Sequence, residues 1–380
     1  MIKYIRKMIY NDEEKIALIK INSFSYLRTD WLQRLLEIFG SAQNILKQSS
    51  RGLSEEGRIS LKTAEYFLKT ANSTDGAREF ERTQKAGGKI VFKGETDYPA
   101  PLLDIKEPPL LLYIRGNLDI ENSVPVAMVG TRKITPYGKR AATKLAQDLA
   151  QSGITLVSGL ARGVDSAAHL AAVRSKKPTW ALIGTGIGRI YPAENKELAH
   201  GIIDEGGAII SELPFDAPPL AAHFPRRNRL IAGLSRLVVV IEGEAKSGAL
   251  ITAKMALEQG IDVLAVPGPI DSPQSRGTNG LIKEGAAVVV DARDIIDALP
   301  VNSKLALDTK KLYNKDEESK QDLTEQEIKV LEIIAEDAKS TDDIAEGLKT
   351  DIATISGILF AMEVNGLIYC KDGLYAKNRF

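Results

Sequence analysis

Three arginines, Arg226, Arg227 and Arg229, fall within four consecutive positions of HFPRRNRLIAG (residues 223–233), between a proline and an apolar stretch of helical spacing. Pro225 suits the first position of a helix, which puts the arginines in its first turns, where the macrodipole already presents positive partial charge. Cations repel such a helix end unless an anion or a set of carboxylates answers them, so the chemistry this stretch predicts is anion binding. The alternative is internal: Arg227 lies near the face of Leu230, Ile231 and Leu234 and could be pinned by a buried Asp or Glu.

Five further loops carry anion-binding residue types. GTRKITPYGKR brings Arg132 and Thr135 before a helix start at Pro136, with Gly130 allowing close backbone approach. In SGLARGVDSAAH, Gly159 and Gly163 bracket Arg162, and Asp165 or Ser166 is placed to cap the next helix. GTGIGRIYPAEN has glycines at 184, 186 and 188. In EGEAKSGALITA, Ser247 and Gly248 precede a helix with Lys246 beside its amino end, and PGPIDSPQSRGTNG supplies Arg276, Gly277, Thr278 and Asn279 before another. For Ser247 and Thr278 the competing reading is N-capping alone. Taken together the loops describe a wide groove for several phosphates, lined by Arg132, Arg162, the three clustered arginines, Lys246 and Arg276.

The elements that position these loops are apolar runs: VAMVG, ITLVSG, TWALIG, AIISE, LVVVIE, DVLAVP and AVVVD, separated by helix-length sequence over residues 126–298. Val/Ile/Leu-rich runs with little polar alternation mark strands buried on both faces, hence an α/β fold with a Rossmann-like wound parallel sheet. Ligands of such sheets lie beyond the carboxyl ends of the strands, where the glycine and arginine loops fall. In front, WLQRLLEIFGSAQNIL has helical spacing and turns at Gly40, so residues 1–85 read as a small helical domain and 86–300 as the sheet domain. The stretch ETDYPAPLLDIKEPPLLLYIRG, proline-rich yet apolar, reads as an extended arm around the sheet. Residues 301–321 read as a polar linker, and 322–380, three capped helices and a hairpin turning at Asp372-Gly373, as a winged helix.

Composition narrows the function. Lys+Arg 50 balances Asp+Glu 50, so a polyanion must be met by a local patch. Cys370 is the single cysteine and His169, His200 and His223 the only histidines, which excludes a disulfide and argues against zinc. No cofactor is expected. The absence of a long apolar run and of a signal-peptide pattern predicts a cytoplasmic protein with no membrane association. The nicotinamide fingerprint G-x-G-x-x-G fails at Arg189, and no Walker A loop is present. Glu212 and Glu242, at strand ends, are the acid/base candidates; without a paired partner they read as structural, and no enzyme activity is expected.

The loops, in this order, resemble the DNA-processing protein A family (DprA, also called Smf): GTRKITPYG, SGLARGVDSAAH, GTGIGRIYPAEN, SELPF, HFPRRNRLIAGLS, VVVIEGEAKSGALITA, LAVPGPID and RGTNGLIKEGA, spanning about residues 95–295. The resemblance implies a Rossmann-like sheet with a small SAM or helix-hairpin-helix-like domain in front and a winged helix behind. It implies a non-enzymatic, dimeric binder of single-stranded DNA that loads the recombinase RecA onto incoming strands in natural transformation. By matching motif the binding positions would be Arg132, Gly184, Gly186, Phe224, Arg227, Asn228, Arg229, Ser247 and Gly248. Phe224, beside an arginine cluster, suits stacking of a base while guanidinium groups hold phosphates.

Three stretches depart from the family pattern. Gly188 stands where many relatives carry an acidic residue, and NSFSYLRTDW where a glycine-rich hairpin turn belongs. From Asp322 to Phe380 there are 12 acidic and 6 basic residues, and DIATISGILFAMEVNG, in the recognition-helix position, has no Lys or Arg. A major-groove reader needs cations there, so this tail reads as a protein-contact module. The competing functions are a nucleotide-binding sensor or phosphoribohydrolase-like enzyme, whose P-G-G-x-G-T loop is absent, and a transcription regulator, which the uncharged helix disfavours.

Overall fold

The structure is a computed structural model and describes residues 9–24, 29–304, 307–308, 324–335, 337–364, 367–371 and 373–377. It divides into two units, Met1–Asp308 and Thr309–Phe380. Most of NSFSYLRTDW's turn (25–28) and most of the linker (305–306 and 309–323) lie outside the described residues, as does Asp372.

Six helices open the chain: α1 (Asp12–Asn22), α2 (Thr29–Phe39), α3 (Ala42–Leu46), α4 (Ser50–Gly57), α5 (Leu61–Ser73) and α6 (Gly76–Lys85). Ser and Asp side chains cap several of them, for example Ser60 accepting from Thr63 N and Asp75 from Arg78 N. Gly40, at φ +77°, ends α2 as the sequence predicts.

Next come β1 (Gly88–Phe92), β2 (Leu111–Gly116), β3 (Val124–Val129), α7 (Pro136–Gln151), β4 (Ile154–Ser158), α8 (Val164–Arg174), β5 (Thr179–Leu182), α9 (Lys196–Asp204) and β6 (Ala208–Ser211). Then follow α10 (His223–Gly233), β7 (Leu237–Val240), α11 (Gly248–Glu258), β8 (Asp262–Ala265), α12 (Arg276–Lys283), β9 (Ala287–Val288) and α13 (Ala292–Ala298). The strands form one sheet in the order β1-β2-β6-β5-β4-β3-β7-β8-β9. From β6 to β9 all neighbours are parallel, as expected of runs buried on both faces, although β9, two residues at the sheet edge, is exposed. The chain runs outward from β3 to β6, returns, and runs outward again from β7, so the strand order reverses between β3 and β7.

Two expectations change. The apolar arm at 95–116 is not only a wrapping segment: its last six residues are β2, which pairs antiparallel with β1 on one side and β6 on the other. The helices of residues 1–85 also do not pack as a domain of their own. Leu35, Phe67 and Trp31 share one core with Phe92, Tyr113, Ile183 and Ile202, so the helices cover the β1-β2 end of the sheet and belong to the first unit.

The second unit has helices at Glu325–Ile333, Thr341–Leu348 and Ile352–Val364, and strands β10 (Lys339–Ser340), β11 (Ile368–Lys371) and β12 (Leu374–Lys377) in the order β10-β12-β11. Capping boxes start the first two helices, at Thr324 with Glu327 and at Ser340 with Asp343. Ile344, Ile355, Leu359, Met362 and Ile368 fill its separate core. This is the winged helix expected from the sequence.

Candidate anion-binding cleft

Beyond the β3/β7 switch point lies a cleft of about 570 Å³. Gly130, Thr131 and Arg132 form its wall after β3, Ala161 and Asp165 its wall after β4, Phe224, Arg227 and Asn228 come from α10, and Ser247, Gly248 and Ala249 open α11. The first residues of α11 thus turn the helix's positive end toward the cavity. Ser247 occupies the N-cap position without a side-chain capping bond, and its buried hydroxyl has no hydrogen-bond partner among the described residues. Asn228 ties α10 to α11 by donating from Nδ2 to the Gly248 carbonyl at 3.3 Å.

Arg227 forms the floor and is 5% exposed. Its Nη1 donates to the carbonyl of Gly159 at 2.6 Å and also to that of Leu182, so it cross-links the ends of β4 and β5. Burial lowers its pKa to about 10, with Asp165 opposing and Arg132 adding to that shift. It is still a cation at neutral pH. Asp165 does not cap α8, whose N-cap is Gly163 with no side-chain bond. The Asp165 carboxylate turns back to accept from Gly159 N at 3.1 Å and Ala161 N at 3.3 Å; burial raises its pKa and Arg227 counters this. The internal alternative for Arg227 is therefore half met: carbonyls pin it, a carboxylate faces it, and it still borders the cleft.

The other two clustered arginines do not line the cleft. Glu212, at the end of β6, meets Arg226 Nε at 3.3 Å through one oxygen and Arg229 Nη2 through the other. Arg229 is 7% exposed. Helix α10 also begins at His223, so Pro225 is its third residue, not its first. The crowding of cations is answered for Arg226 and Arg229 by one carboxylate, against the expectation that all three face a phosphate groove.

At the mouth, the Arg132 guanidinium lies 5.1 Å from the centroid of the Phe224 ring, and Tyr191 stands 5.8 Å from the same ring at 48°. Phe224 is half-buried and Arg132 exposed. Gly184 lies under the ring, where a Cβ would come within 2.8 Å of it. Tyr191 is not among the residues the sequence predicts here; the one local signal for it is its place as an aromatic inside the glycine loop GTGIGRIYPAEN. Arg162 borders a side lobe of the cleft and is exposed, bound bidentately to Glu194 at 2.6 and 2.7 Å, which lowers the Glu194 pKa.

Several expected residues brace loops away from the cavity. Gly186 and Gly188 pack on the 213–218 loop, where a Cβ would meet the carbonyls of Pro214 and Phe215 or the Phe215 ring. Thr278 is buried and donates to the Ser275 carbonyl at 3.2 Å, while Asn279 bonds both the amide and the carbonyl of Gly268. Lys246 and Arg276 are exposed and do not border the cleft. Glu242 accepts from Thr135 N at 3.0 Å and Thr135 Oγ1 at 2.5 Å, and Gly138 leaves room for its carboxylate. Both acid/base candidates are thus engaged as braces.

A wound parallel sheet with a cation-floored, aromatic-lipped cleft at its switch point, followed by a winged helix, is a Rossmann-like architecture. Residues 89–300 match the family described as DNA recombination-mediator protein A, and residues 314–373 match the DprA winged helix domain; the chain belongs to this family. It is 37% identical to Protein Smf of Escherichia coli over 284 residues, 74% of this chain and 75% of that one. With DNA processing protein DprA of Streptococcus pneumoniae it shares 43% over 199 residues, 52% of this chain and 70% of that one. The X-ray structure of the Streptococcus pneumoniae protein superposes with a TM-score of 0.65 at 32% identity, over 77% of this chain and 99% of that one. DNA processing protein A from Helicobacter pylori, whose structure concerns its single-stranded DNA binding mode, gives 0.50 at 31%, over 55% of this chain and 94% of that one. Among the described residues no helix is long and apolar enough to cross a membrane.

Proposed function

We propose that the cleft binds single-stranded DNA and that the protein acts without catalysis, as a dimer, to load the RecA recombinase onto incoming strands in natural transformation. One observation carries the DNA reading: the Arg132–Phe224–Tyr191 cluster at the lip of a cavity into which α11 presents its amino end. An aromatic face takes a base of any identity, and a helix amino end with an adjacent guanidinium takes the neighbouring phosphate. Family membership and the single-stranded DNA binding of the Helicobacter pylori relative support it. The engagement of Glu212 with two arginines and of Glu242 with Thr135 supports a site without acid/base chemistry.

The test sets dT oligomer, duplex of equal length and AMP side by side at one salt concentration. Tight, salt-sensitive binding of dT with weaker binding of duplex is expected. Equal affinity for duplex removes the cleft reading, and tight AMP binding with turnover favours a nucleotide enzyme instead. The loading step is read from recombinase assembly on a strand with and without this protein; no acceleration overturns that part.

A further inference from the structure

The surface built by residues 131–147 carries one sign of charge. Arg132, Lys133, Lys139, Arg140 and Lys144 fall there with no acidic residue among them, and all five are exposed. The next acidic residues in the chain, Asp148 and Asp165, are both buried. Lys144 meets Asp148 at 3.6 Å, but among the described residues no carboxylate pairs with Lys133, Lys139 or Arg140. Some exposed cations elsewhere are answered, as in Lys85 with Glu81 and Arg162 with Glu194, while others, such as Lys246 and Arg276, stand singly among the described residues. In a molecule whose formal charges balance, an unanswered cluster is a local choice.

Its position separates it from an ordinary solvated face. Cations at the carboxyl end of α8, such as Arg174 and Lys176, complement the helix dipole. Lys139 and Arg140 do the opposite, since they sit in the opening turns of α7, at its positive end. The loop that leads into α7 contributes Gly130, Thr131 and Arg132 to the cleft wall, so the cluster begins at the lip. The neighbouring loop is held against it by Val164 N donating to the Thr131 carbonyl at 3.2 Å. The one aromatic in the first turn, Tyr137, directs its hydroxyl to the Pro267 carbonyl at 2.7 Å. That leaves a surface suited to phosphates with no stacking partner committed to it.

We infer that Lys133, Lys139 and Arg140, with Lys144 behind them, form a second phosphate track that carries the single strand after it leaves the cleft. This deepens the cleft reading and rests on it. The track contacts backbone and not bases, is indifferent to sequence, and matters only for strands longer than the cleft holds.

The experiment compares wild type, the triple variant Lys133→Ala/Lys139→Ala/Arg140→Ala and the cleft variant Arg132→Ala. Each is titrated by fluorescence anisotropy with dT oligomers of about 6 and about 25 nucleotides over a range of salt. The triple variant is expected to bind the short oligomer as wild type does and the long one about tenfold more weakly. Its salt slope on the long oligomer should be shallower by about 2, from roughly 0.7 per phosphate lost. Arg132→Ala weakens both lengths. Wild-type affinity and slope of the triple variant on the long oligomer would overturn the track and leave the cleft reading standing. An equal loss on both lengths with an unchanged melting curve overturns it too, by placing the three residues in the cleft. Failure of wild type to bind either oligomer overturns the cleft reading and the track together.

Discussion

The Nη1 of Arg227 stands 2.6 Å from the carbonyl oxygen of Gly159, and a Cβ added to that glycine would lie 2.4 Å from the same nitrogen. The approach fixes both identities: a buried guanidinium with several donors, and a residue without a side chain to admit it. Arg227→Ala would leave two carbonyls unsatisfied and the Asp165 carboxylate without its facing cation. The expected cost is about 3 to 5 kcal/mol of stability, read from denaturant unfolding. Arg227→Lys should recover only part of this, because one ammonium cannot repeat the forked geometry. A wild-type unfolding curve for the alanine variant contradicts the cross-link.

Arg132 and Phe224 are predicted to behave in the opposite way. Arg132 is exposed and Phe224 half-buried, so their loss should leave the melting temperature nearly unchanged while DNA affinity falls. Phe224→Ala should cost about 1 to 3 kcal/mol of dT binding, the range for one stacked base, and Phe224→Trp should restore most of it. Arg132→Ala should cost about 1.5 to 3 kcal/mol. Titrations at fixed salt check both; a variant that binds dT as wild type does removes that side chain from the site.

Glu212 holds Arg226 and Arg229 together, which sets a third expectation. Arg229→Ala removes one of the two cations on a buried carboxylate and leaves Arg226 on the other oxygen, so it should lower stability by about 1 to 3 kcal/mol, with the folded fraction binding dT at wild-type affinity. Glu212→Gln should destabilise by a similar route. Loss of dT affinity without loss of stability in Arg229→Ala would return this arginine to the phosphate groove.

His169 is fully buried, its Nδ1 2.8 Å from Thr179 Oγ1, while that hydroxyl donates to the Leu156 carbonyl at 2.7 Å. The ring nitrogen is therefore the donor, and the imidazole is neutral. Burial, and then the charge of Arg227, lower its pKa to about 3. The unfolded chain takes up a proton at about pH 6.5 that the folded protein refuses, so stability is present above that pH and is lost as pH falls toward 3. The loss approaches about 1.4 kcal/mol per pH unit. Asp165, with its pKa raised, has the reverse sign, but only above the ordinary carboxylate range. Urea unfolding of wild type and His169→Asn between about pH 6.5 and about pH 4.5 isolates the histidine, because the buried His223, whose pKa is also lowered by burial, adds the same slope to both proteins. Parallel slopes would contradict the neutral, buried reading.

What could be read from the sequence follows from what decides each feature. The runs that became β3 to β8 announce themselves because both sheet faces are covered, and burial on two sides leaves an uninterrupted apolar signature. β2 was hidden by Pro108 and Pro109, which precede it and make an edge-proximal strand look like an arm. The glycine loops could be read as close approaches, but not what approaches: Phe224 at Gly184, Phe215 at Gly188 and Arg227 at Gly159 all arrive from distant parts of the chain. The same holds for charge. Nothing local distinguishes Arg227, which faces the cleft, from Arg229, whose partner Glu212 comes from another strand end.

The front helices share their core with the sheet, whereas the winged helix keeps a core to itself, so the chain has two very different kinds of terminal segment. The winged helix closes its core with its own side chains, Ile344, Ile355, Leu359, Met362 and Ile368. The front helices are bound into the domain they were expected only to accompany. Cutting before β1 would uncover Phe92 and Ile183 and leave a sticky, aggregation-prone remnant.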